Sequence, residues 1–159
     1  MCKAVRRKDR EITDSARMAQ ILKEAQAVSV AFGGDSPYVI PISYGFAFEG
    51  GKCTLYMHGA AMGEKIERIK KDPRAAFTVF VNNRVYGEGN EGSNYTSSFD
   101  SVCGSGVIRF LEGEEKTVGL NALMAHYAPG RTFEYPPDIL KATCVMALEA
   151  EKISGKHHD

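Results

Sequence analysis

The chain has no surplus of charge: Lys and Arg number 20, Asp and Glu number 20, and the formal net charge is zero. A protein held on nucleic acid by bulk electrostatics needs a basic excess, so that class is excluded as the main activity. The one basic cluster, Lys3, Arg6, Arg7, Lys8 and Arg10, is broken by Asp9 and Glu11. It reads as a solvated arm or a strap across a partner subunit. No apolar run approaches the ~20 residues that cross a bilayer as a helix, and no secretory leader is expected. The cysteines, Cys2, Cys53, Cys103 and Cys144, form no CxxC pair, and His58, His126, His157 and His158 lack metal-ligand spacing. The expectation is a cytoplasmic protein with reduced thiols, no membrane span and no metal. Cys53 and Cys144 lie in strand-like runs and read as core packing. His157 and His158 read as part of a frayed tail.

What is present suits a globular domain. With 43% hydrophobic residues, the 159-residue chain can bury a core without staples. We read residues 1–159 as a single domain, with an N-terminal arm over about 1–12 and a C-terminal tail over about 154–159. Thr13 or Asp14 caps a helix that buries Met18, Ile21, Leu22 and Ala25. Strands are expected at Val28–Phe32 and Cys53–His58, with a glycine turn between Glu49 and Lys52. Further strands are expected at Ala75–Val81, Ser101–Leu111 and Ala142–Ile153. Helices are expected from about Met62 to Lys71, burying Met62, Ile66 and Ile69, and over Glu114–Tyr127, with Val118 and Leu123 available for burial. Asn82–Ser98 reads as a long irregular loop. Gly104 and Gly106 imply a bulge or a close approach.

The run Tyr38–Phe48 alternates with unusual regularity. Tyr38, Ile40, Ile42, Tyr44, Phe46 and Phe48 form a bulky face, while Val39, Pro41, Ser43, Gly45 and Ala47 form a small one. Bulk suits a core; the small face leaves room for something flat against the backbone. Pro41 removes a ladder donor, so this strand is an edge or is irregular there. About six strands with three helices and no strict βαβ alternation exclude a doubly wound parallel sheet and favour a β-barrel with peripheral helices.

The second feature is Tyr56-Met57-His58-Gly59-Ala60-Ala61-Met62-Gly63-Glu64-Lys65, a strand that turns through glycine into a helix. Helix-start amides are unpaired and lie at the positive end of the dipole, which suits an anion such as phosphate. Lys65 adds a fixed charge, and His58 can donate from a ring nitrogen. The alternative is a turn that only caps a helix.

Taken in order, Asp14, Pro37-Tyr38-Val39-Ile40-Pro41, Leu55-Tyr56-Met57-His58-Gly59-Ala60, Gly63-Glu64-Lys65, Asp72-Pro73, Ser101-Val102 with Gly104 and Gly106, and Glu114-Glu115-Lys116 form a recognisable series. The chain resembles the FMN-binding split-barrel superfamily of pyridoxamine 5′-phosphate oxidase, and within it the nitroimidazole-resistance (Nim-type) branch. The resemblance implies a mainly β fold, a six-stranded antiparallel split β-barrel with peripheral helices, and a homodimer with FMN at the subunit interface. It implies a flavin ring along Val39, Ile40, Pro41 and Ile42, with the phosphate at His58, Gly59, Gly63, Glu64 and Lys65. The segment with Phe99, Ser101 and Val102 would approach the flavin, from the same chain or its partner. The ring strand Tyr38–Ser43 contains no Arg or Lys, and Thr143–Glu149 offers no Arg for a second phosphate. That departure argues against oxidation of a vitamin B6 phosphate.

The implied function is an FMN-dependent oxidoreductase that reduces a small acceptor such as a nitroimidazole or another nitroaromatic, with NAD(P)H as a donor. His58 is the candidate catalytic residue, facing either phosphate or flavin ring, and Tyr56, Tyr95 and Phe99 are candidate pocket walls. The alternative is a non-catalytic flavin- or haem-binding sensor or store, with His58 or His126 as an axial ligand.

Overall fold

Asp14 accepts a hydrogen bond from the Ala16 N–H and starts helix α1, Ser15–Glu24, which buries Met18, Ile21 and Leu22. A computed structural model describes residues 5–159, so the expectations for Cys2 and Lys3 lie outside the described residues. Before α1, a 3₁₀ turn at Lys8–Arg10 leads into a short strand, β1, Glu11–Ile12. The other strands are β2 Val28–Phe32, β3 Val39–Ile42, β4 Tyr44–Glu49, β5 Lys52–Gly59, β6 Arg74–Tyr86, β7 Thr96–Phe110 and β8 Cys144–His158. Helices α2 Glu64–Lys71, α3 Glu114–Tyr127 and α4 Pro137–Ala142 lie between them. The fold is mainly β, as the pattern implies, with eight strands and four α-helices among the described residues rather than six and three.

All pairings are antiparallel, and the strand order is β3-β2-β6-β7-β8-β5-β4, with β1 added on β8. β3 and β4 therefore occupy opposite ends of one sheet, yet only Ser43 separates them in the chain. The sheet must curl until its two ends approach, which makes a barrel split at that point. The single strand expected over Tyr38–Phe48 is thus two strands serving opposite edges. Its alternation survives the break: Ile42 and Tyr44 are buried, while Val39, Pro41 and Ser43 are exposed. The interior is filled by Val28, Val30, Leu55, Met57, Phe77, Val79, Val102, Met146 and Leu148, and α1 and α2 seal it with Ile21, Leu22, Ile66 and Ile69.

Three glycines set how closely the layers approach. A Cβ at Gly45 would lie 2.3 Å from the Ala122 carbonyl, so α3 rests directly on β4. A Cβ at Gly104 would meet the Phe77 ring at 2.4 Å. At Gly106 it would lie closer still to the Glu149 carbonyl, where the β7–β8 register shifts. The bulge and close approach expected there are both present.

Other elements differ from expectation. β6 and β7 run on past an irregularity at Val81–Arg84, where Asn82 has φ 57°, so Arg84–Tyr86 pair with Thr96–Ser98 inside the expected loop. The tail is not frayed either: Lys156, His157 and His158 complete β8. Met62 is 82% exposed because Gly63, at φ 109°, delays α2 until Glu64. Val118 is exposed as well, since α3 packs through Gly119, Leu120 and Leu123. A second small core of Leu111, Leu120, Val145 and Ala147 lies under the connector, packed by Tyr56, Tyr135 and Leu140.

Candidate functional site

The uncovered strip begins on β3. The Phe32 N–H donates to the Tyr38 carbonyl at 3.0 Å, so the bonded β2–β3 pairs alternate from there through Val30–Ile40 and Val28–Ile42. Val39 and Pro41 lie between those pairs and direct their main-chain polar groups away from β2. Among the described residues no strand lies beyond β3, so the Val39 N–H and C=O and the Pro41 C=O face an open edge. Pro41 sits where the ladder needs no donor, and its missing N–H costs the sheet nothing. Tyr38 is held in place by Arg68, whose guanidinium lies 4.7 Å from the ring centroid and donates to Ser36 O and Oγ.

The strip continues onto β5. Tyr44 pairs with Met57, and carrying that register one residue further places Ser43 beside His58. Both side chains are exposed on the outer face. Helix α3 covers that face at Gly45 and Tyr56 but leaves Ser43 and His58 open, so Tyr56 is a packing residue under the helix rather than a free pocket wall.

At the end of β5 the anion-ready geometry is specific. A Cβ at Gly59 would lie 2.7 Å from Lys65 Nζ, so the lysine occupies space that any side chain there would fill. Among the described residues no carboxylate pairs with Lys65; Glu64, its neighbour, is bonded to Arg68 at 2.8 Å. The Gly63 carbonyl receives the Ile66 and Glu67 N–H groups, while the Glu64 and Lys65 amides have no main-chain partner among the described residues. An ammonium without a carboxylate partner lies against Gly59, and two amides without main-chain partners among the described residues stand at the start of the helix that carries it. A phosphate fits that donor set.

A family model described as pyridoxamine 5′-phosphate oxidase matches residues 14–157. The chain belongs to that family. Its fold matches a candidate 5-nitroimidazole antibiotic resistance protein from Bacteroides thetaiotaomicron, with 25% identity, TM-score 0.80, and 92% and 86% of the two chains covered. A FAD and haem binding protein from Mycobacterium smegmatis matches at 22% identity and TM-score 0.80, covering 94% of this chain and 74% of that one. The flavocytochrome Anf3 from Azotobacter vinelandii matches at 21% identity and TM-score 0.78, covering 98% and 72%. No curated protein matches the sequence. The recognised series of motifs thus led to the right family, and the half-closed antiparallel sheet is its split barrel.

In this pyridoxamine 5′-phosphate oxidase family member the expected site residues form two groups. Val39, Ile40, Pro41, Ile42, His58, Gly59, Gly63, Glu64 and Lys65 lie along the strip just described, although Ile42 faces the core. Phe99, Ser101 and Val102 lie on β7, three strands from β3, roughly 14 Å away at the usual strand spacing. Within one chain the two groups do not meet. Val102 is fully buried and points into the barrel, whereas Phe99 and Ser101 share the outer face with Phe80 and Lys156.

The histidines divide sharply. His126 places Nδ1 2.8 Å from the Tyr44 carbonyl and Nε2 3.1 Å from the Lys23 carbonyl, so neither nitrogen is free for a ligand. His157 is held by Asp100 at 2.7 Å and by Asp159 at 2.7 Å. Its bond to Asp100 pushes the imidazole above its ordinary value. Burial alone would raise the Asp100 carboxyl, but hydrogen bonds from Asn82 and His157 and the charge of Arg17 outweigh it and hold it low. Sequence reasoning missed this cluster because its members come from α1, the β6 irregularity, β7 and the chain end. Cys53 is pushed up to about 12 by burial, and burial also raises Cys144, so both are packing thiols as expected.

Proposed function

We propose that this protein binds FMN, with the ring along the open edge of β3 and the phosphate at Gly59 and Lys65, and reduces a small acceptor such as a nitroaromatic. The Gly59–Lys65 cradle carries the proposal. It supplies a charge without a carboxylate partner among the described residues, lying in the space that the missing side chain of Gly59 leaves open. When bound, a flavin supplies the electron-transfer chemistry that no side chain here can. The protein's part is to bind and orient. Val39 and Pro41 offer one main-chain donor and two acceptors at the edge, which suits the alternating polar rim of a flavin. His58, exposed beside Ser43, is the group placed to hold or release a proton near the ring. The proposal includes a homodimer, in which Phe99 and Ser101 of one copy reach the flavin of the other, and NAD(P)H as donor. Flavin binding by relatives of the same fold supports the reading.

The purified protein should show flavin absorbance bands, and His58→Ala should keep those bands while lowering nitro reduction at least tenfold. Colourless protein that takes up no added flavin contradicts the proposal.

One side chain favours a second reading, a haem-holding protein without turnover. His158 Nδ1 donates to the Ser97 carbonyl at 2.5 Å, which fixes the tautomer and leaves Nε2 without a partner among the described residues. That arrangement is common in axial ligands. A Soret band lost in His158→Ala would establish it.

A further inference from the structure

The start of α2 can receive a phosphate only if no carboxylate of the chain settles there first, and Glu64 is placed to do so. It is the first residue of the helix. Helical Cα–Cβ bonds tilt toward the N-terminus, and the dipole draws an anion the same way. An unrestrained Glu64 carboxylate would therefore lean over the Glu64 and Lys65 amides. The structure shows it turned in the opposite direction. Arg68, one turn further along α2, donates to Glu64 Oε1 from Nε at 2.9 Å, and its Nη2 lies 2.8 Å from the same oxygen.

The guanidinium that holds the glutamate is itself fixed from outside the helix. Nη1 donates to the Ser36 carbonyl at 2.7 Å and Nη2 to Ser36 Oγ at 2.9 Å, beside the Tyr38 ring. Gly34 leaves room for it, since a Cβ there would lie 3.1 Å from Nη1. At the other end of α2, Lys71 pairs with Asp35 at 2.5 Å and ties the helix to the same turn. Only 16% of the Arg68 side chain is exposed, against 56% for Glu64, so the arginine is the anchor and the glutamate follows it. Glu64, Glu67, Arg68 and Lys71 line one hollow against this turn, and Lys65 stands outside it.

We propose that Arg68 is a positioning residue for the flavin phosphate: it holds the Glu64 carboxylate back along α2 and leaves the helix start and Lys65 open to an external anion. The inference rests on the flavin reading and adds a residue that does not touch the cofactor. Its bonds go to Glu64 and Ser36, so it acts through the glutamate.

The readout is the preference for FMN over riboflavin, measured by fluorescence titration of the full chain, because the ratio cancels any change at the ring edge. Arg68→Gln should lower that preference about fivefold, and adding Glu64→Gln should restore it to within about twofold of wild type. Glu64→Gln cannot replace the lost Ser36 and Tyr38 contacts, so restoration separates this role from a merely structural one. Glu64→Asp conserves every charge on an exposed side chain, but its carboxylate is one methylene too short to reach the anchored arginine. It should still lower the preference about threefold. A preference that persists in Arg68→Gln or in Glu64→Asp, or a loss that Glu64→Gln does not repair, overturns this inference and leaves the flavin reading standing. A wild type with no preference overturns the phosphate cradle, and this inference with it.

Discussion

At the residue scale, the most instructive side chain is Tyr44. It is fully buried, and its hydroxyl donates to the Leu22 carbonyl at 2.5 Å. His126 bonds the Lys23 carbonyl at 3.1 Å, and the Tyr127 hydroxyl donates to the Gln26 carbonyl at 2.5 Å. Three aromatic side chains thus satisfy carbonyls at and just beyond the C-terminal end of α1, which a helix leaves unpaired. Burial raises the Tyr44 phenol, so it remains a donor throughout the physiological range. Tyr44→Phe should cost about 1–3 kcal/mol by leaving the Leu22 carbonyl buried and unpaired, measurable by urea unfolding. The sequence periodicity marked Tyr44 as core but could not reveal this capping role, because its partners lie at the far end of α1. Lys65 was legible because its meaning is local: a lysine just inside a helix that follows a glycine turn. Met62 was misread for an equally local reason, since helical spacing does not show that Gly63 adopts a positive φ and postpones the helix.

At the scale of elements, the alternation of Tyr38–Phe48 correctly assigned inside and outside but not the break at Ser43. A period of two is blind to which neighbour a strand pairs with. The small outer face proved to have two uses. At Gly45 it admits α3, and from Ser43 to Val39 it stays open. Gly45→Ala should therefore push α3 off β4 and cost roughly 1–3 kcal/mol, seen as a lowered melting temperature, whereas Ser43→Ala should be neutral within ~0.5 kcal/mol. The end of β8 is governed by charge instead. His157 is raised above its ordinary 6.5, so its contribution is complete below that value and is lost as pH rises through the folded value. Asp100 is held below its ordinary 3.8, so its contribution is present above that value and is lost on acidification. Amide exchange at Gly155–His158 should be slowest between these limits and accelerate above neutral pH beyond the intrinsic base-catalysed rise. In His157→Gln that additional acceleration should vanish; if it persists, the histidine does not anchor the strand.

At the scale of the whole molecule, a curled sheet brings a free strand edge, an exposed histidine and an unpaired lysine into one strip, although they come from separate parts of the chain. The family and its split barrel were legible because the motifs occur in order along nearly the whole sequence. The separation of Phe99 and Ser101 from Val39 and Pro41 was not legible, since it depends on the strand order β3-β2-β6-β7, which no spacing along the chain encodes. The central claim is that the Gly59–Lys65 cradle holds a flavin phosphate. A charge-assisted bond of this kind contributes about 1.5–3 kcal/mol, or about one to two powers of ten in affinity. The most direct test compares FMN with riboflavin, which lacks the phosphate, on wild type and Lys65→Gln. FMN should bind the wild type at least tenfold more tightly than riboflavin, and the substitution should abolish that preference while leaving riboflavin unchanged. Equal affinity of the wild type for the two flavins, or a preference that survives Lys65→Gln, would contradict the account.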